Sequence, residues 1–418
     1  MADIQPFRAL RYDPDRTGGL QDVVAPPYDV IDEPQRAALQ SRSPYNIVGI
    51  DLPEGGDDRY DHAAQLLDAW RRDGVMVEDE QAALWTLAQD YTGPDGRSRT
   101  RQGFFARVRV EAYGAGQIRP HERTHPGPKE DRLRLTRATK TNLSPIFSLY
   151  SDPAGSAWEA LAPAHGSTPW AQTTDDDGTV NRLWRVEDPD AIATVEQVLG
   201  DTELLIADGH HRYETARVYA DEVGGEGPHR FVLMCLVSLQ DPGLTVFPTH
   251  RLVRGLTGPQ QEALATALRR DFEIEPLGDT AQLAPESGDT VRIGYIDSQL
   301  RKPFMLTLKD PGIADAALPD RAEPYRRLDT AVLEALVLKG ALQMTDDDID
   351  HLHGLGYARD FDQALELIGR AAYDAAFFMA PTPIERVLAV ASAGESMPPK
   401  STYFFPKVPT GLLLNPLS

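Results

Sequence analysis

Leu204-Leu205-Ile206-Ala207-Asp208-Gly209-His210-His211-Arg212-Tyr213 is the stretch whose reading decides both fold and chemistry. Residues 202–207 are short and apolar, as a buried strand is, and helical spacing resumes over 213–222. A strand that feeds a helix through one glycine aims the backbone N–H groups of the helix start at whatever lies beyond the strand end, and such groups accept an anion. Gly209 lets the chain turn tightly and approach a ligand. Arg212 supplies a fork of donors for phosphate oxygens. Asp208 can hold a magnesium ion by its carboxylate, and His210 and His211 add donors or a proton-transfer group. The plainer alternative is a capped helix with a surface charge cluster, but a cap needs one polar residue and five stand here in a row. Adjacent histidines point in different directions, unlike the i, i+4 pair of a helical zinc site, so zinc is not expected.

Outward from this stretch the pattern alternates between strand and helix. Downstream, 230–239 reads as a second buried strand containing Cys235, the single cysteine, taken as a small core residue. Beyond 256 a helix at 259–271 precedes a hairpin of 290–297 with 302–308, and helices follow at 328–339 and 360–370. Asp346-Asp347-Asp348 reads as the start of a helix, where negative charge is favoured, in preference to a metal site. Upstream, 59–73 is an amphipathic helix through Ala63, Leu66, Leu67 and Trp70. Strand-like runs 82–91 and 101–110 flank Gly93-Pro94-Asp95-Gly96, a turn signal that makes them a hairpin. Residues 129–138 form a basic helix, and 142–150 return to strand character. The pattern predicts an α+β fold in three parts: an N-terminal segment over 1–100 packed on a phosphate-binding core over 101–255, then a C-terminal α+β region over 256–418.

Charge limits the partners. The 418 residues carry a net charge of −22, a field that repels nucleic-acid phosphates, so a nucleic-acid partner is not expected. No signal-like start is visible and no run approaches the roughly 18 apolar residues of a membrane span, which predicts a cytosolic protein with no membrane partner. Walker-type and Gly-x-Ser-x-Gly motifs are absent, which sets aside P-loop and ordinary hydrolase chemistry.

Three further segments carry reactive or ligand-binding residue types. Glu122, in Pro120-His121-Glu122-Arg123-Thr124-His125, can serve as a general base, or equally stand as a loop carboxylate paired to Arg123. Lys129, Arg132 and Arg137 can line an anion site or form one solvated helix face. Tyr28 and Asp29 follow the stiff Pro26-Pro27 pair, a way to fix a small ligand or simply a turn. Lys400 and Tyr403, in the tail Lys400-Ser401-Thr402-Tyr403-Phe404, can close the site or pack as a tail. Phe247-Pro248-Thr249-His250-Arg251 ends a strand with further polar groups.

Residues 4–8, 25–31, 121–135, 142–150, 204–216 and 397–406 resemble the signature blocks of the bacterial and archaeal family called domain of unknown function 1015. Pro120-His121-Glu122 and Asp208-Gly209-His210-His211-Arg212 are also similar to segments of the ParB/sulfiredoxin-like fold, most of all its free-serine kinases. Those enzymes phosphorylate the hydroxyl of L-serine using ADP or ATP with magnesium. The resemblance implies a ParB/sulfiredoxin-like core, Glu122 as catalytic base with Asp208 and His211, and nucleotide binding by residues 208–212 with His121, Lys129 and Arg132. Substrate contacts would come from Tyr28, Asp29, Lys400 and Tyr403, and Asp208 would hold the magnesium. The two blocks lie farther apart than in the compact kinases, and the terminal additions have no counterpart there. A nucleotide-driven switch, a phosphatase on the same phosphate site and a non-catalytic metabolite binder are the alternatives.

Overall fold

A computed structural model of the chain describes residues 2–113, 116–122 and 126–418. Helices and strands are mixed along its length. It divides into two compact units, one formed by Met1–Pro120, Thr124–Leu244 and Pro406–Ser418, the other by His121–Arg123 and Thr245–Phe405.

In the first unit, nine strands among the described residues form one sheet. Their order is Ile118–Arg119, Leu204–Asp208, Ile146–Tyr150, Phe231–Ser238, Ser98–Arg109, Leu84–Thr92, Val180–Val186, Ala171–Thr174, with Ile4–Gln5 added along Ser98–Arg109. The expected hairpin is present: Thr92 pairs with Ser98, and Gly96, at φ 72°, donates its N–H to the carbonyl of Gly93 at 2.8 Å. Phe231–Ser238 runs parallel to Ile146–Tyr150, which requires a crossover, and the chain between them supplies the helices. Helix Pro189–Gly200 starts on Asp188, whose carboxylate accepts the N–H of Asp190, with proline in its first turn. Its Val195 and Leu199 pack with Leu161 against Phe104, Ile146, Leu204 and Met234 in one buried cluster.

Two helices and the chain end frame the strand tip that carries Asp208. Helix Pro126–Thr139 begins earlier than the basic periodicity implies, because proline suits a helix start, where its missing N–H is not needed. Its Leu133 meets Tyr219 of helix His210–Val223 and Leu417 of the tail. The tail is stitched in by backbone pairing: Asn415–Pro416 runs antiparallel to Thr141–Asn142, Leu414 bridges Leu10, and Thr410 bridges Ala25. That last bridge anchors the segment leading into Pro26-Pro27, which continues as the short turn Tyr28–Val30.

The second unit holds a six-stranded antiparallel sheet in the order Phe272–Pro276, Phe304–Leu308, Arg292–Asp297, Ala375–Phe378, His250–Val253, Leu355–Ala358. Helix Gly258–Asp271 and the segment 329–341 bury Leu264, Leu268, Leu333 and Val337 in one cluster with Ile293 and Leu306. Helix Phe361–Gly369 buries Ala364 and Ile368 in another, with Leu252 and Phe378. The single α-helix expected over 328–339 is an α turn, Asp329–Val332, that widens into a π-helix over Leu333–Ala341. Gly340 permits the wider winding, since a Cβ there would lie 2.8 Å from the carbonyl oxygen of Ala335. The triple aspartate does start a helix, Asp346–Asp350, capped by Thr345. Among the described residues no helix is long and apolar enough to cross a membrane.

Gly103 sits where Ser98–Arg109 pairs with Phe231–Ser238. A Cβ there would come within 2.7 Å of Val237 Cγ2 and 2.8 Å of the Leu236 carbonyl oxygen. Gly103→Ala is therefore expected to lower the unfolding free energy by about 1–3 kcal/mol through overpacking, read as a lower urea midpoint at constant slope. An unchanged midpoint would mean that these two strands part at no cost.

Candidate functional site

The strand Leu204–Asp208 does not end regularly. Its register against Ile146–Tyr150 shifts between Ile206 and Asp208, the kind of irregularity that re-aims a side chain at a strand end. Gly209 follows at φ 99° and ψ 27°, a left-handed conformation that a side chain disfavours, and the helix His210–Val223 begins at once. The helix therefore starts within the polar stretch and not after it. Gly209, at the N-cap, has no side chain with which to cap this N-terminus. Arg212 folds back over the glycine, so that a Cβ at 209 would lie 3.0 Å from its Nε and 3.1 Å from its Cζ. His210 is buried and His211 half-buried on the first turn.

Asp208 stands between two cations. Arg212 Nη2 donates to its Oδ2 at 2.5 Å and Lys407 Nζ to its Oδ1 at 2.5 Å, while Arg212 Nη1 donates to the carbonyl of Pro145. All three side chains are nearly enclosed, 12–19% exposed. Burial alone would raise the Asp208 carboxyl, but Lys407 and then Arg212 outweigh it and hold the group far below the usual carboxylate range. Burial would lower Arg212, and Asp208 followed by Asp29, Tyr28 and Asp51 outweigh that and keep it above its ordinary value.

Beside Arg212 lies a small cavity of about 40 Å³, lined among others by Tyr28, Asp51, Arg132, Asn142, Ser144 and Thr215. Arg132 is buried there, with Nη1 on the Asp51 carbonyl at 2.7 Å and Nη2 on Asp131 at 2.6 Å. Its guanidinium lies 4.3 Å from the centre of the Tyr28 ring. Asp131 in turn accepts from Tyr60 at 2.7 Å and Arg59 at 2.9 Å. Burial pushes the Tyr28 hydroxyl up to about 12 and raises Asp51 against the opposing pull of Arg132 and Arg212. Asp51 Oδ2 and Thr215 Oγ1 are buried without a hydrogen-bond partner, and both residues line the cavity. At this volume the cavity holds a few waters, each needing about 10–15 Å³. It backs the arginines and is too small for a nucleotide.

The expectation that Asp208 holds magnesium does not fit these surroundings. Both of its oxygens are bound to cations, which already neutralise the carboxylate. Among the described residues no group of three His, Cys, Asp or Glu side chains is arranged to hold a metal ion.

The other expected residues divide between the units. Tyr28, Asp29, Lys129 and Arg132 belong with 208–212 to the first. Asp29 is exposed, Lys129 is half-buried, and the fields of Asp29, Tyr28 and Asp51 all act on Arg212. Arg137, a candidate for the anion wall, is instead paired with Glu222 at 2.5 Å near the surface. His121, Glu122, Lys400 and Tyr403 belong to the second. There His121 is fully buried, with Nε2 2.8 Å from Thr402 Oγ1 and its ring edge-on to Phe404. Glu122 bridges Met397 through the backbone, and its Oε1 lies 3.8 Å from His121 Nε2. The expected alternative, pairing of Glu122 with Arg123, falls outside the described residues. Arg251 is buried with Nη2 on the Pro399 carbonyl at 3.1 Å, and burial lowers it against the opposing fields of Tyr357, Glu334 and Glu122. Tyr403 pairs opposite Phe247 under Arg359, and Lys400 is exposed.

Sequence reasoning missed Lys407, Asp51, Asp131 and Thr215. Lys407 lies just beyond the block 397–406, and its partner is 199 residues away. Asp51 ends the short apolar helix Val48–Asp51, and a carboxylate after an apolar run is the one signal available for it.

The family described as Protein of unknown function (DUF1015) matches residues 4–331. Among solved structures, a free serine kinase in complex with ADP is similar at 13% identity and a TM-score of 0.38, over 72% of this chain and 87% of that one. A conserved hypothetical protein from Pyrococcus furiosus is similar at 16% identity and a TM-score of 0.38, over 74% of this chain and 93% of that one. SbnI with a C-terminal truncation, from Staphylococcus aureus, is similar at 12% identity and a TM-score of 0.36, over 72% of this chain and 82% of that one. No curated protein matches the chain in sequence.

The two-cation arrangement has a thermodynamic consequence. Asp208→Asn leaves Lys407 and Arg212 without their counter-charge and is expected to cost about 3–5 kcal/mol at neutral pH. Because the folded-state pKa is depressed, the stabilisation is fully present above the unfolded carboxylate value of about 3.9. It is lost as pH falls through the lower folded value. Denaturant midpoints should therefore show a constant gap between wild type and variant from neutral pH to about pH 5, narrowing under acid. A gap that widens under acid would contradict the assignment.

Proposed function

The chain belongs to the DUF1015 family, and for this member we propose phosphoryl transfer from ATP or ADP to the hydroxyl of a small metabolite, with free L-serine as the first candidate. The observation that carries this reading is the pair of cations, Arg212 and Lys407, set on one carboxylate at a helix N-terminus whose N-cap is a glycine. Phosphoryl transfer asks a protein for positioning and charge more than for covalent chemistry. A helix N-terminus with two lysine or arginine side chains beside it offers both to a phosphate chain. Asp208 then serves to hold the two cations in place. His210, His211 and Gly209 complete the turn over which the phosphates would lie, with Lys129 as a further nucleotide contact.

In this reading the hydroxyl oxygen of the acceptor attacks the terminal phosphorus. The bond to the departing nucleotide, ADP from ATP or AMP from ADP, breaks, and the hydroxyl proton passes to Glu122. The Pro120-His121-Glu122 and 208–212 segments, by which the sequence resembles free-serine kinases, support a hydroxyl acceptor. Tyr28, Asp29, Lys400 and Tyr403 are the proposed acceptor contacts. Magnesium enters as the nucleotide's own counter-ion, a state in which the ion keeps several waters and takes few protein ligands. A ParB/sulfiredoxin-like name for the core and a cytosolic location belong to the same proposal.

The test is transfer from ATP and from ADP, with magnesium, to a panel of small hydroxylated metabolites including L-serine, followed by phosphorus NMR of the product. One phosphorylated acceptor is expected, with product lost in Asp208→Asn. Glu122→Gln should cut turnover by about 10²–10⁴-fold, the usual worth of a general base, and leave the nucleotide Kd unchanged. Equal loss of both would remove Glu122 from the base role. Hydrolysis with no phosphorylated acceptor would favour a nucleotide switch or a phosphatase, and no nucleotide interaction at all would overturn the proposal.

A further inference from the structure

Within the second unit, a cavity of about 340 Å³ opens between helix Gly258–Asp271 and the sheet edge formed by Phe272–Pro276, Phe304–Leu308 and Arg292–Asp297. That volume lies at the lower end of the roughly 300–1,000 Å³ typical of small-molecule sites. Leu264, Leu268 and Leu306, all buried core residues, form part of its lining. Ile274 and Leu300 also line it, yet they are 39% and 64% exposed, among the few large apolar side chains left in water. The turn that carries Leu300 is tied to the helix by a hydrogen bond from Gln299 Nε2 to Gln261 Oε1 at 3.1 Å.

The charges around this hollow are not equivalent. Asp297 Oδ1 accepts the N–H groups of Gln299 and Leu300 at 3.0 and 2.6 Å, which builds the turn. Asp374 Oδ2 accepts the N–H of Leu256 at 2.8 Å. Both carboxylates are thus engaged within the fold, Asp297 also by the Tyr295 hydroxyl. Arg269 also lines the cavity, and its guanidinium makes no ion pair or hydrogen bond among the described residues. Its backbone carbonyl alone is engaged, by Lys309. An apolar hollow with one uncommitted cation suits an occupant that is apolar at one end and anionic at the other.

We propose that this cavity binds an amphipathic carboxylate, its hydrocarbon tail in the hollow and its head at Arg269. The inference is independent of the phosphoryl-transfer reading. It is tested on the full chain by calorimetric titration with decanoate and, separately, with decanol. Decanoate should bind saturably, one per chain. Ala265→Phe, on the half-buried helix face, places a ring where the tail would lie and should weaken both probes by at least about tenfold, because packed interiors leave no spare room. Arg269→Gln should weaken decanoate by about two- to fivefold, the worth of an exposed ion pair, and leave decanol unchanged. Leu300→Glu, at an exposed position where folding is not at issue, removes apolar lining from both probes and adds a repelling charge, so it should weaken decanoate more than decanol. Absence of saturable decanoate binding, or decanoate affinity unmoved by both Arg269→Gln and Leu300→Glu, would overturn the proposal.

Discussion

Asp208 keeps its negative charge in a place where burial alone would remove it, and much of the first unit is arranged around that fact. A nearly enclosed carboxylate with no partner costs several kcal/mol or takes up a proton. Here one cation comes from the helix that follows the strand, four residues on, and the other from Lys407, 199 residues on. Drawing Lys407 to Asp208 obliges the tail Pro406–Ser418 to return to the unit where the chain began. The other tail contacts follow the same path: Thr410 to Ala25, the Ser144 and Thr410 hydroxyls at 2.6 Å, and Asn415 beside Asn142. One ion network thereby gathers the N-terminal loop, the basic helix and the strand tip.

The basic character of residues 129–137 is resolved by the same logic. In a chain of net charge −22 these arginines do not make a positive surface. Arg132 is taken inward by Asp51 and Asp131, Arg134 pairs with Asp57, and Arg137 with Glu222. Arg212, Lys407 and Arg132 are likewise each matched to a carboxylate. Such a site favours a compact anion that can compete for individual donors. A polymer would meet the acidic exterior.

Local chemistry was the legible part. The apolar run 204–207 before a glycine marked the strand and its end, and the alternation and turn residues over 84–109 marked the hairpin, because these signals act over a few residues. The π-helix at Leu333–Ala341 was not legible. Its apolar spacing reads as α-helical, and the widening depends on Gly340 passing close to a carbonyl five residues back. The partners of Asp208 were not legible for a related reason. A carboxylate before a glycine turn is read from sequence as available, whereas here both its oxygens are occupied by side chains the local pattern does not reveal.

The sequence by itself determined the strand–glycine–helix turn, the candidate anion donors on it, the acidic exterior and the mixed α and β class, since each follows from residue types and short-range spacing. Only the tertiary structure decided that Lys407 meets Asp208 and that Arg132 is buried against Asp51 and Asp131. It also decided that the chain end closes the unit in which the chain begins. Those are pairings between residues tens to hundreds of positions apart. They are settled by which charges burial forces together, and no local pattern records that.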